Sequence, residues 1–484
     1  MRARLASGVL LAAVIIPVAL TRIVDGDEGF YLIAGQQVAQ GSIPYRDFFF
    51  LQAPGTPYLF AVWMWMFGET WLAARCLGAL LAIGTGLLVH VMVERRTGSR
   101  GTALLAAACY GTTGLALAWL PLAKTYGVTA LCLMGACALL DHTDPPRWRL
   151  IAGGALAGFA VLCRLPAIVA VPILIVFCPS RRRLIDRGAL IAFGSLIALA
   201  PAMAIATRDL GAYWFGNVGF HSLRSDAGLV GDLGQKGAVL GELAGLGPGS
   251  VGTGPQFLVL SVGAAVAAVL ALRAGQRPPL TIPVAAGLFL IMLAPTPTYA
   301  QYQSVTVPLL AVAAGDLVRP VARVLRERVW VWGAIVALAW VLSSATALRP
   351  NLWEGPDELQ LASVRRVSSD LDAIAGRGEP ILSLWPGYLL EADAVPVPGL
   401  ENQFAIQVSQ ALTDQTARRF RLMTLDDLRE ALRRDTIRLV MRGGPGDSLL
   451  PGGEMELGWI DSGYRLVGRT SGVDVYANDS APPP

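Results

Sequence analysis

Long apolar runs, parted by short polar loops, fill the chain up to about residue 346, and beyond that point the pattern changes. A helix of about 20 apolar residues crosses a 30 Å hydrocarbon core. By that measure the runs near 5–24, 70–92, 102–120, 123–141, 149–163, 165–178, 189–207, 255–272, 280–294, 304–318 and 330–347 predict about eleven spans. The runs at 149–163 and 165–178 are short for a full crossing and predict either a close pair that does not fully cross or two spans with little tilt in a thinned region. The fold class expected is therefore a polytopic α-helical membrane protein, with residues 1–347 as its membrane domain.

The tail, 348–484, gains charge and loses long apolar runs. From Asp357 to Ala375, Leu359, Val364, Val367, Leu371 and Ile374 share one helical face. "PILSLW" (380–385) and "TIRLVMR" (436–442) read as strands, and "YRLVGRT" with "VDVYAN" predicts a closing hairpin. "TLDDLREALRRD" (424–435) reads as a helix capped by Thr424. Alternating strands and helices imply a small α/β domain. The Gly/Pro-rich stretch 443–453 is expected as a loop.

Composition agrees: 54% of residues are hydrophobic and only 15% charged, against about 25% charged in a typical soluble protein. The net charge of +4 says little about nucleic acid, which is not expected as a partner, and with no GxGxxG or P-loop nucleotide binding is unsupported. All six cysteines fall in apolar segments without zinc-ligand spacing. Arg2 and Arg4 precede an apolar core as in a signal peptide, but no small-residue cleavage site follows, so an uncleaved first span is expected.

Loop arginines orient the chain. Arg95, Arg96 and Arg100, then Arg147 and Arg149, then Arg181, Arg182, Arg183 and Arg187, then Arg273 and Arg277, then Arg319, Arg323, Arg326 and Arg328 all fall on the side of Arg2 and Arg4. The positive-inside rule makes that side cytoplasmic. The expected location is the plasma (inner) membrane, multi-pass, with a cytoplasmic N-terminus. The first outer loop 25–69, a second large loop 208–254 and the tail are then extracytoplasmic.

The first outer loop is unusual for a connection. "VDGDEGFYLIAGQQVAQGSIPYRDFFFLQAPG" (24–55) sets Asp25, Asp27 and Glu28 at a membrane surface. Asp25 can cap a helix starting near Gly26, with Glu28 as its capping-box partner. That accounts for two carboxylates and leaves Asp27 without a structural role. Phe30, Ile33, Ala34 and Val38 form an apolar face that Gly41 terminates, and Pro57 to Phe67 is rich in Trp, Met and Phe. Two interfacial helices are expected here.

Several pieces together resemble a known family. Asp27-Glu28, Gly41, "IPYRDF" (43–48), "APGTPYLF" (53–60) and "FGETWLAAR" (67–75) look like the first outer loop of GT-C glycosyltransferases. The similarity is to the dolichyl-phosphate-mannose protein mannosyltransferase and aminoarabinose-transferase-like branch. "GALAGFAVLCRLPA" (154–167), "PTPTYAQYQSVTVPLLAVAAG" (295–315) and "LWPGYLLEADAVPVPGLENQF" (384–404) resemble later parts of such enzymes. The resemblance implies a transferase that takes a sugar from a polyprenyl-phosphate carrier on the outer membrane face and passes it to a lipid, glycan or protein acceptor, with inversion. It also implies a catalytic acid in the first outer loop, which maps onto Asp27 with Glu28 as its neighbour. One departure is visible: relatives with a further acid between the third and fourth spans have no counterpart in "AWLPLAKT" (118–125), which holds Lys124 instead.

The chemistry asks for the same groups. An acceptor hydroxyl needs a carboxylate to take its proton. A leaving lipid phosphate needs cations or oriented donors where the dielectric is low. Outward-side candidates are Arg75, Lys124 (one of two lysines), Arg164, His221 and Arg224, with Tyr299, Gln301 and Tyr302 as sugar or phosphate donors. Each also reads as an interface anchor or snorkelling side chain. His221 with Asp27 or Glu28 is a thin ligand set for a divalent ion, so no metal or other cofactor is expected.

Two other classes compete. A lipid-linked sugar transporter or flippase would place ionisable groups at mid-depth, often in repeated halves; these spans carry almost none there, and no half-to-half repeat is evident. A non-catalytic cell-envelope assembly protein would leave the acidic loop unexplained.

Overall fold

A computed structural model describes residues 2–179, 181–223, 228–247, 251–318, 320–321, 329–352, 355–434, 436–447 and 463–478. The candidate Arg224, the loop arginines Arg319, Arg323, Arg326 and Arg328, and the end of the 443–453 loop lie outside the described residues.

A helix lies under each predicted span. In chain order the first helices are α1 (Arg2–Thr21), α2 (Gly26–Ala39), α3 (Gly55–Phe67), α4 (Trp71–Thr97), α5 (Arg100–Gly111), α6 (Gly114–Trp119), α7 (Thr125–Leu140), α8 (Arg147–Cys163), α9 (Ala170–Phe177) and α10 (Leu184–Ala206). Among the described residues, α1, α4, α10 and Gln256–Arg273 are long and apolar enough to cross a membrane, and several shorter apolar helices accompany them. On α10, Phe193, Leu196, Ile197 and Met203 are more than half exposed, an apolar surface suited to lipid rather than water.

Two compact units emerge. The first comprises Met1–Leu20, Cys76–Pro201 and Arg224–Trp353. The second comprises Thr21–Arg75, Ala202–Leu223 and Glu354–Pro484, so the tail's unit also takes in the first outer loop and part of the second.

In the first unit, the span expected over 102–120 is two helices, α5 and α6, broken at Thr112–Thr113. Backbone groups freed inside a membrane domain must find partners within the protein. Gln256 supplies one, its Oε1 accepting from Gly114 N at 2.9 Å, while its Nε2 donates to Trp340 O and Ser344 Oγ, both at 2.7 Å. Ser344 in turn donates to Thr112 O. Elsewhere α8 and α10 touch backbone to backbone. A Cβ on Gly154 would lie 2.1 Å from Ile191 O, one on Gly158 2.5 Å from Ser195 O, and one on Gly194 2.0 Å from Ile151 O. Ser195 Oγ donates across the seam to Gly154 O at 2.9 Å. This is the small-residue packing of membrane helices, where close approach replaces the missing hydrophobic drive. The short pair expected at 149–163 and 165–178 is α8 followed by a 3₁₀ turn, Leu165–Val169, and α9.

The second unit carries a five-stranded sheet, order β2-β1-β3-β5-β4, from β1 (Pro380–Leu382), β2 (Val395–Pro396), β3 (Leu439–Arg442), β4 (Arg465–Thr470) and β5 (Val473–Ala477). β1 is parallel to β2 and β3, β5 runs antiparallel to β3, and β4 pairs with β5 as the expected hairpin. Ser471 and Gly472 both have positive φ (50° and 80°), the two-residue turn whose twist matches its strands. Leu425–Arg433 is capped by Thr424 as expected, with Asp427 completing a capping box. The helix expected over Asp357–Ala375 is shorter: a 3₁₀ turn at Asp357–Leu359, then Leu361–Leu371.

Candidate functional site

In the second unit, α2 starts as its spacing predicts. Asp25 accepts from Asp27 N at 3.1 Å, and Asp25 N donates to Glu28 Oε1 at 2.9 Å, closing a capping box. Glu28 does more than cap. Arg75 Nη2 donates to the same Oε1 at 2.7 Å, and both side chains are completely buried. Arg75 also reaches the carbonyls of Arg22 and Ile23 at 3.4 and 3.3 Å. The guanidinium thus ties the end of the first span to the first turn of α2. Arg22, which sequence reasoning passed over, is buried too and feels the Asp25 and Glu28 charges. Its signal was visible: an arginine at the outer end of an apolar run, next to three acids.

Asp27 differs from its neighbours. It is half-buried, and Gln403 Nε2 lies 3.5 Å from its Oδ1. It sits in the first turn of α2, where the helix dipole favours a carboxylate. Trp385 steadies that turn, donating from Nε1 to Gly26 O at 2.7 Å and stacking near Trp71 at 6.1 Å between ring centroids. Gly29 packs against Gly387 so closely that a Cβ would lie 2.9 Å from its Cα. Contrary to a surface-lying helix, α2 is buried continuously from Glu28 to Gly35.

The rest of the first outer loop is held by 202–223. Tyr45, buried with φ 68°, donates to Gln52 O and accepts from Asn217 Nδ2 at 3.2 Å. His221, half-buried, lies in the short helix Phe220–Ser222 with its ring 5.1 Å from that of Phe220. Glu401, another residue the sequence reading missed, is buried and accepts from Gly399 N at 3.0 Å. Burial pushes its carboxyl from 4.5 up to about 7, against hydrogen bonds from the backbone and Gln37.

In the first unit, three candidates come together at the start of α7. Lys124, 3% exposed, is the N-cap residue. Its Nζ lies 5.1 Å from the Trp119 ring and 5.6 Å from that of Tyr126. Arg164, 7% exposed, donates to Thr125 Oγ1 at 3.1 Å and lies over both Tyr126 (4.7 Å) and Tyr302 (4.8 Å). Tyr126 is therefore shared by two cations, an arrangement whose attraction strengthens on desolvation. Tyr299, part exposed, packs edge-on to Tyr302 at 5.6 Å, with Gln301 half-buried between them in sequence. Among the described residues no group of three or more His, Cys, Asp or Glu is placed to hold a metal ion.

Residues 51–206 match the family model described as dolichyl-phosphate-mannose-protein mannosyltransferase. No curated protein matches the chain. Among solved structures, ArnT from Cupriavidus metallidurans bound to undecaprenyl phosphate aligns with TM-score 0.64 and 17% identity, over 99% of both chains. Its apo form aligns at 0.63 and 18%, over the same shares. The Archaeoglobus fulgidus oligosaccharyltransferase tethered with an acceptor peptide aligns at 0.54 and 14%, over 99% of this chain and 74% of its own. The resemblance to GT-C glycosyltransferases drawn from the first outer loop is borne out: at these identities the likeness is one of fold, and the fold is theirs.

Proposed function

We propose that the protein is an integral-membrane glycosyltransferase that moves a sugar from a polyprenyl-phosphate-linked donor to an acceptor hydroxyl on the extracytoplasmic face, with inversion. The observation that carries this reading is the pair of buried cations, Lys124 and Arg164, gathered around Tyr126 at one end of an apolar helix. The family-model match over 51–206 and the transferase fold support the class, and the ArnT structure bound to undecaprenyl phosphate supports the donor.

In this reading Asp27 takes the acceptor's hydroxyl proton as the new oxygen–carbon bond forms. The bond from the anomeric carbon to the phosphate oxygen breaks, and its electron pair leaves with the lipid phosphate. Lys124 and Arg164 stabilise the charge that develops there, in surroundings whose low dielectric strengthens each contact. Glu28 and Arg75 keep the turn in place around Asp27. Tyr302 holds Arg164, while Tyr299 and Gln301 face sugar hydroxyls; His221 and Arg224 add donors for the phosphate. The arginine-bearing loops and the N-terminus are cytoplasmic.

Asp27→Asn tests the role of the base. Transfer from a labelled polyprenyl-phosphate sugar should fall by about 10²–10⁴ while the melting temperature holds. Unchanged turnover removes Asp27 from the mechanism. For the topology, Asp357→Cys in a chain stripped of its native cysteines should react with an impermeant thiol reagent applied from outside; labelling only after lysis reverses the orientation.

A further inference from the structure

The first unit holds a second basic site that the transfer reaction does not use. A cavity of about 670 Å³ is lined by Arg95, Arg96, Arg181 and Arg277, with Asp141 as the lone carboxylate among its lining residues. It lies at the opposite end of α7 from Lys124. The 16 residues of that helix separate the two by about 24 Å at 1.5 Å per residue.

The four arginines are not equivalent. Arg96 is committed, its Nη2 2.8 Å from Asp316 and its Nη1 3.5 Å from Asp141. Arg95 donates to Ala138 O at 3.0 Å and sits 2.7 Å from His142 Nε2, which must accept, so His142 is neutral with its proton on Nδ1. Arg181 and Arg277 have no ion-pair partner among the described residues. Asp141 and Asp316 both engage Arg96, and Asp144 accepts from Arg181 N at 3.2 Å, so four guanidiniums stand against three nearby carboxylates and a surplus of positive charge remains. Planar guanidinium forks match phosphate oxygens in pairs. The wall beside them is apolar: Phe177 lines the cavity, and it and Val176 are more than half exposed at the end of α9. Guanidiniums next to an uncovered aromatic ring suit a phosphate that carries a lipid tail.

We infer that this cavity is a binding site for a phosphate-bearing anion, the phosphodiester headgroup of an anionic phospholipid or a free phosphate, with Arg181 and Arg277 as its principal donors. The guanidiniums of Arg95 and Arg96, braced by His142 and Asp316, form its fixed floor. Helix-bounded basic pockets of this kind hold anionic headgroups.

The purified full-length protein in neutral detergent provides the test. Melting temperature is followed while phosphatidylglycerol, phosphatidylcholine, or inorganic phosphate and pyrophosphate are titrated in. Phosphatidylglycerol should raise it saturably and phosphatidylcholine should not. In the double variant Arg181→Ala/Arg277→Ala the apparent Kd should rise tenfold or more. Arg433→Ala/Arg434→Ala, which removes two exposed arginines from a tail helix, should respond as the wild type does. If millimolar inorganic phosphate or pyrophosphate reproduces the shift and competes with the lipid, the site stands and its ligand is the soluble anion. If neither source shifts the wild type, or the double variant answers as the wild type does, the assignment is overturned.

Discussion

The Glu28 carboxylate meets the Arg75 guanidinium at 2.7 Å with no solvent exposure on either side chain. Forty-seven residues apart in sequence, they join the entry to α2 and the first turn of α4. Removing one member takes a buried charged partner from the other, and breaking a buried pair typically costs about 3–5 kcal/mol, whereas replacing both with apolar groups costs far less. Glu28→Gln and Arg75→Met should each lower the melting temperature strongly, and the double variant should recover part of the loss. A Glu28→Gln protein that melts with the wild type would show that the pair contributes no stability.

At the start of α7, Lys124→Met and Arg164→Met should each weaken donor binding about tenfold or more, equal to about 1.4 kcal/mol. The acceptor KM should change little. Arg164→Lys should resemble Arg164→Met, because an ammonium cannot lie flat over both Tyr126 and Tyr302. Equal losses for donor and acceptor would argue against phosphate contact.

Where α8 meets α10, a side chain on Gly194 has nowhere to go, since its Cβ would already press on Ile151 O. Gly194→Leu should destabilise by at least the 1–3 kcal/mol typical of overpacking, read as a lower melting temperature and poorer yield. Ser195→Ala removes the hydroxyl's bonds to Gly154 O and, within its own helix, to Ile191 O, and should cost about 0.6 kcal/mol. Similar effects from the two substitutions would contradict the packing account.

Glu401 sets a pH dependence. Its carboxyl titrates near 7 in the folded protein and at 4.5 when exposed, so the neutral form suits the fold. Its contribution is present in full below about pH 4.5 and is lost as the pH climbs through about 7, on the order of 3 kcal/mol in all. Wild-type melting temperature should decline across that window, and Glu401→Gln should flatten the decline. Identical pH profiles for the two proteins would rule Glu401 out as its cause.

Local signals proved legible. Three-residue spacing revealed the Asp25–Glu28 capping box, a threonine ahead of an apolar helical face marked the cap at Thr424, and the paired runs "YRLVGRT" and "VDVYAN" marked the hairpin. Lys124 stood out because lysines are rare in this chain. What stayed hidden was pairing at long range. Nothing in the spacing ties Trp385 Nε1 to Gly26 O, Gln403 to Asp27, or Arg75 to Glu28. The break at Thr112–Thr113 was hidden for the same reason, since an apolar run reads as one helix until Gln256 is known to satisfy Gly114 N. Continuous burial of α2 was missed because the amphipathic pattern assumed a membrane surface on one side and water on the other.

The brevity of α7 has a geometric consequence. Its 16 residues reach about 24 Å, short of the roughly 30 Å that the hydrocarbon layer occupies. Were the arginine basin placed at headgroup depth on one side, Lys124 would stop about 6 Å short of the other surface, and any tilt of α7 would deepen the recess. A phosphate that reaches it must sink beneath its lipid neighbours or meet a thinned bilayer. On the proposed function, a sunken counter-charge of this sort would favour lipid-borne over water-borne sugar phosphates before any sugar hydroxyl is read.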